Sequence, residues 1–221
     1  MLSRAARCAP ILLLLPLLGL TGCDPSAIGS SAAEPSGNTE TSATGSVHAI
    51  PVGAGPQSHY TVQAQPAPGS CHYRYEHKEP LPDPVCTPGA LSPKVTQATI
   101  ASTICRKGGY TSGIRPSSYV TGKEKAANAK SYGYTGSMRD GEYDHLISLQ
   151  LGGDPNDYRN LWVEAPDPGH PTGSGPNNNK DKVETTLHTA VCNHKITLTA
   201  AQKAIATDWT TALANLGLGR S

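Results

Sequence analysis

GEYDHLISLQLGGDPNDYRNLW, residues 141–162, is the stretch on which the reading of this chain turns. Tyr143 to Leu149 reads as one strand, and Asn160 to Val163 as a second. Between them Gly152-Gly153 and the run Asp154-Pro155-Asn156-Asp157 supply turn chemistry, so the two strands form a hairpin. At its centre stands the adjacent pair Asp144-His145. A carboxylate beside an imidazole, with an amide on the returning strand, is the set that a one-metal phosphodiesterase site needs. Asp144 would hold a divalent cation, His145 would take a proton from water, and Asn160 would fix the ring. Neutral imidazole suits that task because its ordinary pKa is about 6.5. An isolated Asp-His pair is more often a surface dipeptide. Here Gly-Gly, Asn-Leu-Trp and then a helix follow in order, and a structural Asp/His network is the alternative.

The helix behind the hairpin is expected over Asn177 to Cys192, with Val183, Leu187 and Val191 stepping by four along one face. Its first turn offers Asn177, Asn179 and Asp181 as further metal ligands and Lys180 as a phosphate contact. The last helix is signalled by a capping box, Thr199-Ala200-Ala201-Gln202, and by the stripe Ala201, Ile205, Trp209, Leu213, with Gly217 as its stop. Upstream, Ser92-Pro93 or Thr96 would open a short helix carrying Ile100 and Ile104 to Cys105. Thr121 to Lys130 would form another, whose Lys123, Lys125 and Lys130 make a solvated face. Cys71 to Gly89, rich in Pro and charge, is expected to be irregular. Arg159 is the phosphate candidate on the hairpin, with pairing to Asp157 or Glu142 as its structural role. Trp162 and Trp209 are expected in the core, His188 as a partner of Glu184, and His170 in a loop without a function.

Of the 221 residues, the first 22 have the form of a secretion signal: Arg4 and Arg7, then the apolar run Ile11 to Leu20. That run is short for a membrane span. Leu20-Thr21-Gly22-Cys23 resembles the lipobox of bacterial lipoproteins, which implies lipidation of Cys23 and a membrane-anchored chain in the bacterial envelope, facing periplasm or exterior. From residue 23 to about 69 the composition is Ser, Gly, Ala, Pro and Thr, which buries too little surface to offset its ordering entropy, so a flexible tether is expected. The folded domain is then 70–217, about 150 residues and within the usual range for one domain.

Without residues 1–22 the chain keeps 16 Lys and Arg against 17 Asp and Glu, a net of −1. That charge argues against a high-affinity non-specific nucleic-acid binder, whose affinity rests on phosphate neutralisation. It leaves room for a catalytic site making a short contact with phosphate. With Cys8 and Cys23 in the signal and lipobox, four cysteines remain. In an exported chain they read as two disulfides, with three possible connectivities. Cys71–Cys86 as a local loop and Cys105–Cys192 as a long tie is the pairing expected. No CxxC occurs, so a structural zinc site of ordinary spacing is not expected.

The motifs also carry a resemblance. Cys86-Thr87-Pro88-Gly89-Ala90, Thr103-Ile104-Cys105, Tyr132-Gly133-Tyr134, the core Glu142 to Trp162, Lys180-Asp181 with Glu184, Val191-Cys192, and Ala201-Gln202 to Trp209 recur in one order. Over roughly residues 71–210 the chain resembles a bacterial family of small exported HNH-like proteins. The resemblance implies an α+β fold: a ββα-metal hairpin-helix core with flanking helices, tied by disulfides. It implies metal-dependent hydrolysis of nucleic-acid phosphodiesters, with Asp144 on the cation, His145 as base and Asn160 orienting it. Oxygen ligands imply Mg²⁺ or Mn²⁺; Zn²⁺ fits less well without a His cluster. Where an HNH helix offers a His or Asn as its last ligand, this chain has the Asn177-Asn179 run and Asp181, and spacing leaves the choice open. The rival reading is a non-catalytic envelope module that keeps the same fold as a binding scaffold.

Overall fold

A computed structural model describes residues 49–176 and 178–219. The expected signal peptide, Cys23, the tether up to residue 48, and Asn177 lie outside the described residues. The chain is mixed α+β, with two small antiparallel hairpins, four helices and two disulfides among these residues. Strands β1 (Arg74–Glu76) and β2 (Glu79–Leu81) form the first hairpin. It interrupts a segment expected to be irregular. Helix α1 spans Ser118–Ser131. Strands β3 (Glu142–His145) and β4 (Leu161–Glu164) form the second hairpin. Helices α2 (Lys180–Cys192), α3 (Leu198–Thr207) and α4 (Ala212–Asn215) close the chain.

The main core is made where α2 and α3 meet the hairpin loop. Val183, Leu187 and Val191 are buried against Ile147, Leu151, Ala201, Ile205 and Trp209. Fully burying each such aliphatic side chain contributes about 1.5–3 kcal/mol, which is why the four-residue steps survive as real helix faces. A smaller cluster joins Trp162 and Tyr132 to the Cys71–Cys86 disulfide. Cys105–Cys192 is the second bridge, so the expected pairing stands.

Boundaries shift for identifiable reasons. The expected helix before Cys105 is only a 3-10 turn, Ile100–Ser102. Thr99 Oγ1 donates to the Lys94 carbonyl and Thr103 Oγ1 to the Thr99 carbonyl, local bonds that compete with a helical ladder. Ile100 and Ile104 are buried all the same. Strand β3 stops at His145 rather than Leu149, and a 3-10 turn, Leu149–Leu151, follows and ends on left-handed Gly152. Helix α2 opens at Lys180, three residues later than expected. The cap of α3 is Thr197, whose hydroxyl accepts the Ala200 N–H, and not Thr199. The single closing helix breaks at Asp208, yet Ala201, Ile205, Trp209 and Leu213 are all buried.

The tether boundary also moves. Residues 49–69 are laid against the domain rather than free of it. Val52 bridges Leu91 in parallel, and the Gly55 N–H donates to buried Asp154 at 2.6 Å. Gln63 N donates to Glu124 Oε1, and Asn128 Nδ2 to Gln65 Oε1. The polar inner face of α1 explains the error: Glu124 and Asn128 are buried there to receive a polar strap, so neither partner shows an apolar pattern. No helix among the described residues is long and apolar enough to cross a membrane.

Candidate functional site

The second hairpin pairs Glu142 with Glu164 and Asp144 with Trp162. Side chains two apart on a strand share a face, and directly paired residues share it too, so Glu142, Asp144 and Glu164 converge. Like charges placed opposite one another are destabilising unless a proton or a cation intervenes. The first turn of α2 meets this face. Asn178 Nδ2 donates to Glu142 Oε2 at 2.8 Å. Lys180, fully buried, donates to Asp144 Oδ2 at 2.5 Å, to Glu184 Oε1 at 2.5 Å and to the His145 carbonyl at 2.8 Å. Its three protons are all engaged, so Lys180 is an internal counter-ion and not the phosphate contact expected of it.

Five carboxyl groups thus surround one buried ammonium, and their titration records the imbalance. Burial, then Asp144 and Asp181, push Glu142 up to about 7. Burial likewise raises Glu184 to about 7, against the pull of Lys180. Glu164 is driven well above the carboxylate range by burial and by Asp144. Burial alone would raise Asp144 as well, but the Lys180 ammonium holds it low, so Asp144 is ionised. Neither Glu164 oxygen has a hydrogen-bond donor, which fits a neutral carboxyl turned toward Asp144. Asp181, at the solvent edge of the cluster, is raised by partial desolvation and by Asp144.

His145 points its ring elsewhere. Nε2 lies 3.1 Å from the Pro155 carbonyl, which fixes Nε2 as the protonated nitrogen and leaves the lone pair on Nδ1. Among the described residues nothing hydrogen-bonds Nδ1. Burial holds the imidazole below its ordinary value, only partly offset by Asp144, so the ring is a neutral base at neutral pH.

Asn160 does not touch this ring, contrary to the expected role. Its oxygen accepts from Ile147 N at 3.0 Å, and its amide donates to the carbonyls of Ile147 and Asp154 at 3.0 and 3.1 Å. It pins the loop whose next carbonyl, Pro155, holds His145, so it acts on the base through the loop. Gly153 belongs to the same device: a Cβ there would run into the Ile147 carbonyl and Asn160 Nδ2.

The remaining expected residues fall elsewhere. Asn179 turns to the opposite side of α2, donating to Glu79 Oε1 and accepting from Lys182, at the rim of a cavity of about 520 Å³ that Trp209 and His77 also line. Its neighbour Asn178 is the amide that faces the acid cluster. Arg159 is paired with Asp157 at 2.5 Å, its structural alternative. Besides Lys180, a second cation acts on the site: Arg115, whose charge is felt by Glu142, His145 and Asp181. His188 is bonded to the Ile104 carbonyl at 2.9 Å and not to Glu184. His170 is bonded to Ser174, with Asp140 at 3.7 Å.

Sequence reading missed Glu142, Glu164, Glu184, Asn178 and Arg115 as site residues. The i, i+2 spacing of Glu142 and Asp144 was visible. Glu164 needed the strand register, and Arg115 needed the tertiary fold. Among the described residues, a separate group with metal-ligand chemistry is Cys105, His188 and Cys192, whose ligand atoms lie within 4.8 Å of one another, although the two sulfurs are joined to each other. The chain matches no family model, no curated protein and no solved structure in the comparisons made.

Proposed function

We propose that the chain is a metal-dependent, HNH-like nuclease of the bacterial envelope, carried as a lipoprotein on Cys23. On this reading β3, β4 and α2 are the ββα unit. The observation that carries it is the excess of carboxyl groups gathered on one face of the hairpin, with a neutral, loop-clamped histidine next to Asp144 along the strand. The donor set fits a divalent cation. Glu142 and Glu164 lie opposite one another, neither making a direct ion pair among the described residues, and hard oxygen ligands suit Mg²⁺ or Mn²⁺. Asp144, Glu142 and Asp181 would hold the cation, with Glu164 behind them. It would supply charge stabilisation to the phosphate and the leaving oxygen.

His145 does the proton chemistry. Nδ1 takes a proton from water as the water oxygen bonds to phosphorus and the bond to the leaving oxygen breaks. The Pro155 carbonyl stabilises the imidazolium that results. Arg115, whose charge reaches Glu142 and His145, would meet the phosphate. The near-neutral charge of the chain implies weak substrate binding between turnovers. Two disulfides support export to an oxidising compartment.

One observation favours the second reading, a scaffold without catalysis: Lys180 already occupies one oxygen of Asp144 and closes a complete ion network with Glu184. Incubating plasmid DNA and single-stranded RNA with the full chain in Mg²⁺, Mn²⁺, Zn²⁺ or EDTA separates the two. Cleavage in Mg²⁺ or Mn²⁺ that EDTA abolishes is the expected outcome. A folded, metal-loaded chain that cuts neither substrate leaves the scaffold.

A further inference from the structure

Away from the acid cluster, α2 carries at its far end a second arrangement with its own chemistry. His188 and Cys192 are four apart and so share one helix face. Cys105 reaches the same point from the turn that follows Ile100–Ser102. The ligand atoms of these three residues fall within 4.8 Å of one another, and none of the three residues is fully buried.

One ligand pair already has the spacing of a tetrahedral site. With Zn–S near ~2.3 Å and Zn–N near ~2.05 Å, neighbouring sulfur and nitrogen ligands stand about 3.5 Å apart. His188 Nε2 is already 3.3 Å from Cys192 Sγ. The two cysteine Cα atoms are 5.5 Å apart. Sulfurs on one zinc stand about 3.7 Å apart, which side-chain rotation can supply once they are no longer bonded.

We propose that Cys105, His188 and Cys192 form a zinc site that is mutually exclusive with the disulfide. A phosphine or dithiol reductant delivers two electrons to the sulfur–sulfur bond and is itself oxidised, and the two sulfurs become thiols. Zn²⁺ then binds both thiolates with release of two protons. His188 exchanges its Nε2 contact with the Ile104 carbonyl for the metal, its proton now on Nδ1. Water completes the fourth position. In this state the ion, instead of the covalent bond, ties the Cys105 turn to α2, so that the core keeps one closure in either redox condition. The inference is independent of any reaction at His145.

The test uses the full chain, oxidised or reduced with a phosphine under anaerobic conditions, with Co²⁺ as a spectroscopic stand-in that Zn²⁺ should displace. The reduced chain is expected to take one Co²⁺ with the thiolate charge-transfer band and strong visible absorption of a tetrahedral ion, and the oxidised chain to show no such spectrum, any Co²⁺ held by the carboxyl cluster giving only weak absorption. His188→Ala should lower the affinity at least tenfold, and Cys105→Ser should abolish the spectrum. The double variant Cys71→Ser/Cys86→Ser should keep it, which excludes the other cysteine pair. Circular dichroism is followed in parallel. A reduced chain that loses structure and regains it with Zn²⁺ supports the site. A reduced chain that binds no tetrahedral Co²⁺, folded or not, overturns it. So does binding that His188→Ala and Cys105→Ser leave unchanged.

Discussion

At the scale of single residues, the site rests on two buried polar side chains that hold other groups in place. Asn160 is fully buried and satisfies Ile147 on both its backbone groups. Truncating it leaves several main-chain groups unpaired, so Asn160→Ala is expected to cost about 3 kcal/mol in urea unfolding, at 1–3 kcal/mol for each group left buried without a partner. Lys180 is the more severe case. Lys180→Met strands Asp144 and Glu184 without their cation, and breaking such a buried pair costs about 3–5 kcal/mol. The loss should shrink on acidification, because protonated carboxyls no longer need the ammonium. A Lys180→Met chain with wild-type stability at pH 8 would mean that the network is not as buried as described. The sequence put Asp144, His145 and Asn160 in one place, but misjudged how Asn160 works. An amide that braces a loop and one that braces a ring leave the same letter at the same position.

Among the elements, the hairpin is the one most constrained. Gly152 needs its positive φ of 76° to leave the 3-10 turn, and Gly153 has no room for a side chain. Gly153→Ala is expected to lower Tm by several degrees and to move His145 off the Pro155 carbonyl, which a shifted imidazole resonance in NMR would register. An unchanged resonance would separate the loop from the base. The helix faces were legible because apolar residues at four-residue steps have few other uses: Val183, Leu187 and Val191 are buried as read. The strap over residues 49–69 was not legible. Its hold on α1 is made by hydrogen bonds to Glu124, Asn128 and Ser131, and polar-to-polar packing leaves no periodicity. The short turn before Cys105 misled for a related reason, since threonine hydroxyls substitute for helical bonds.

For the whole molecule, charge and cross-links set the conditions of stability. Glu142 and Glu184 sit at about 7 in the folded chain against an ordinary 4.5. A folded-state pKa raised above the unfolded one favours folding at low pH, and that contribution is lost as pH rises through about 7. His145 is depressed and acts in the opposite sense, its contribution present above about 6.5 and lost as pH falls. Between pH 6.5 and 8 the carboxyls therefore dominate, and Tm is expected to fall. Saturating Mn²⁺ should flatten that slope by replacing protons in the cluster; a slope indifferent to Mn²⁺ would argue against a cation site. The Cys105–Cys192 bridge closes a separation of 87 residues, for which chain entropy gives about 4–5 kcal/mol of stabilisation.

The central claim, that His145 is the base of a metal-dependent hydrolysis, is tested most directly by His145→Ala compared with the parent chain in saturating Mn²⁺, with Mn²⁺ affinity measured on both by calorimetry. The expected result is equal metal affinity with cleavage slowed by about 10²–10⁴, the usual range for removing a general base. Cleavage by His145→Ala at the parent rate, with metal bound, would contradict it.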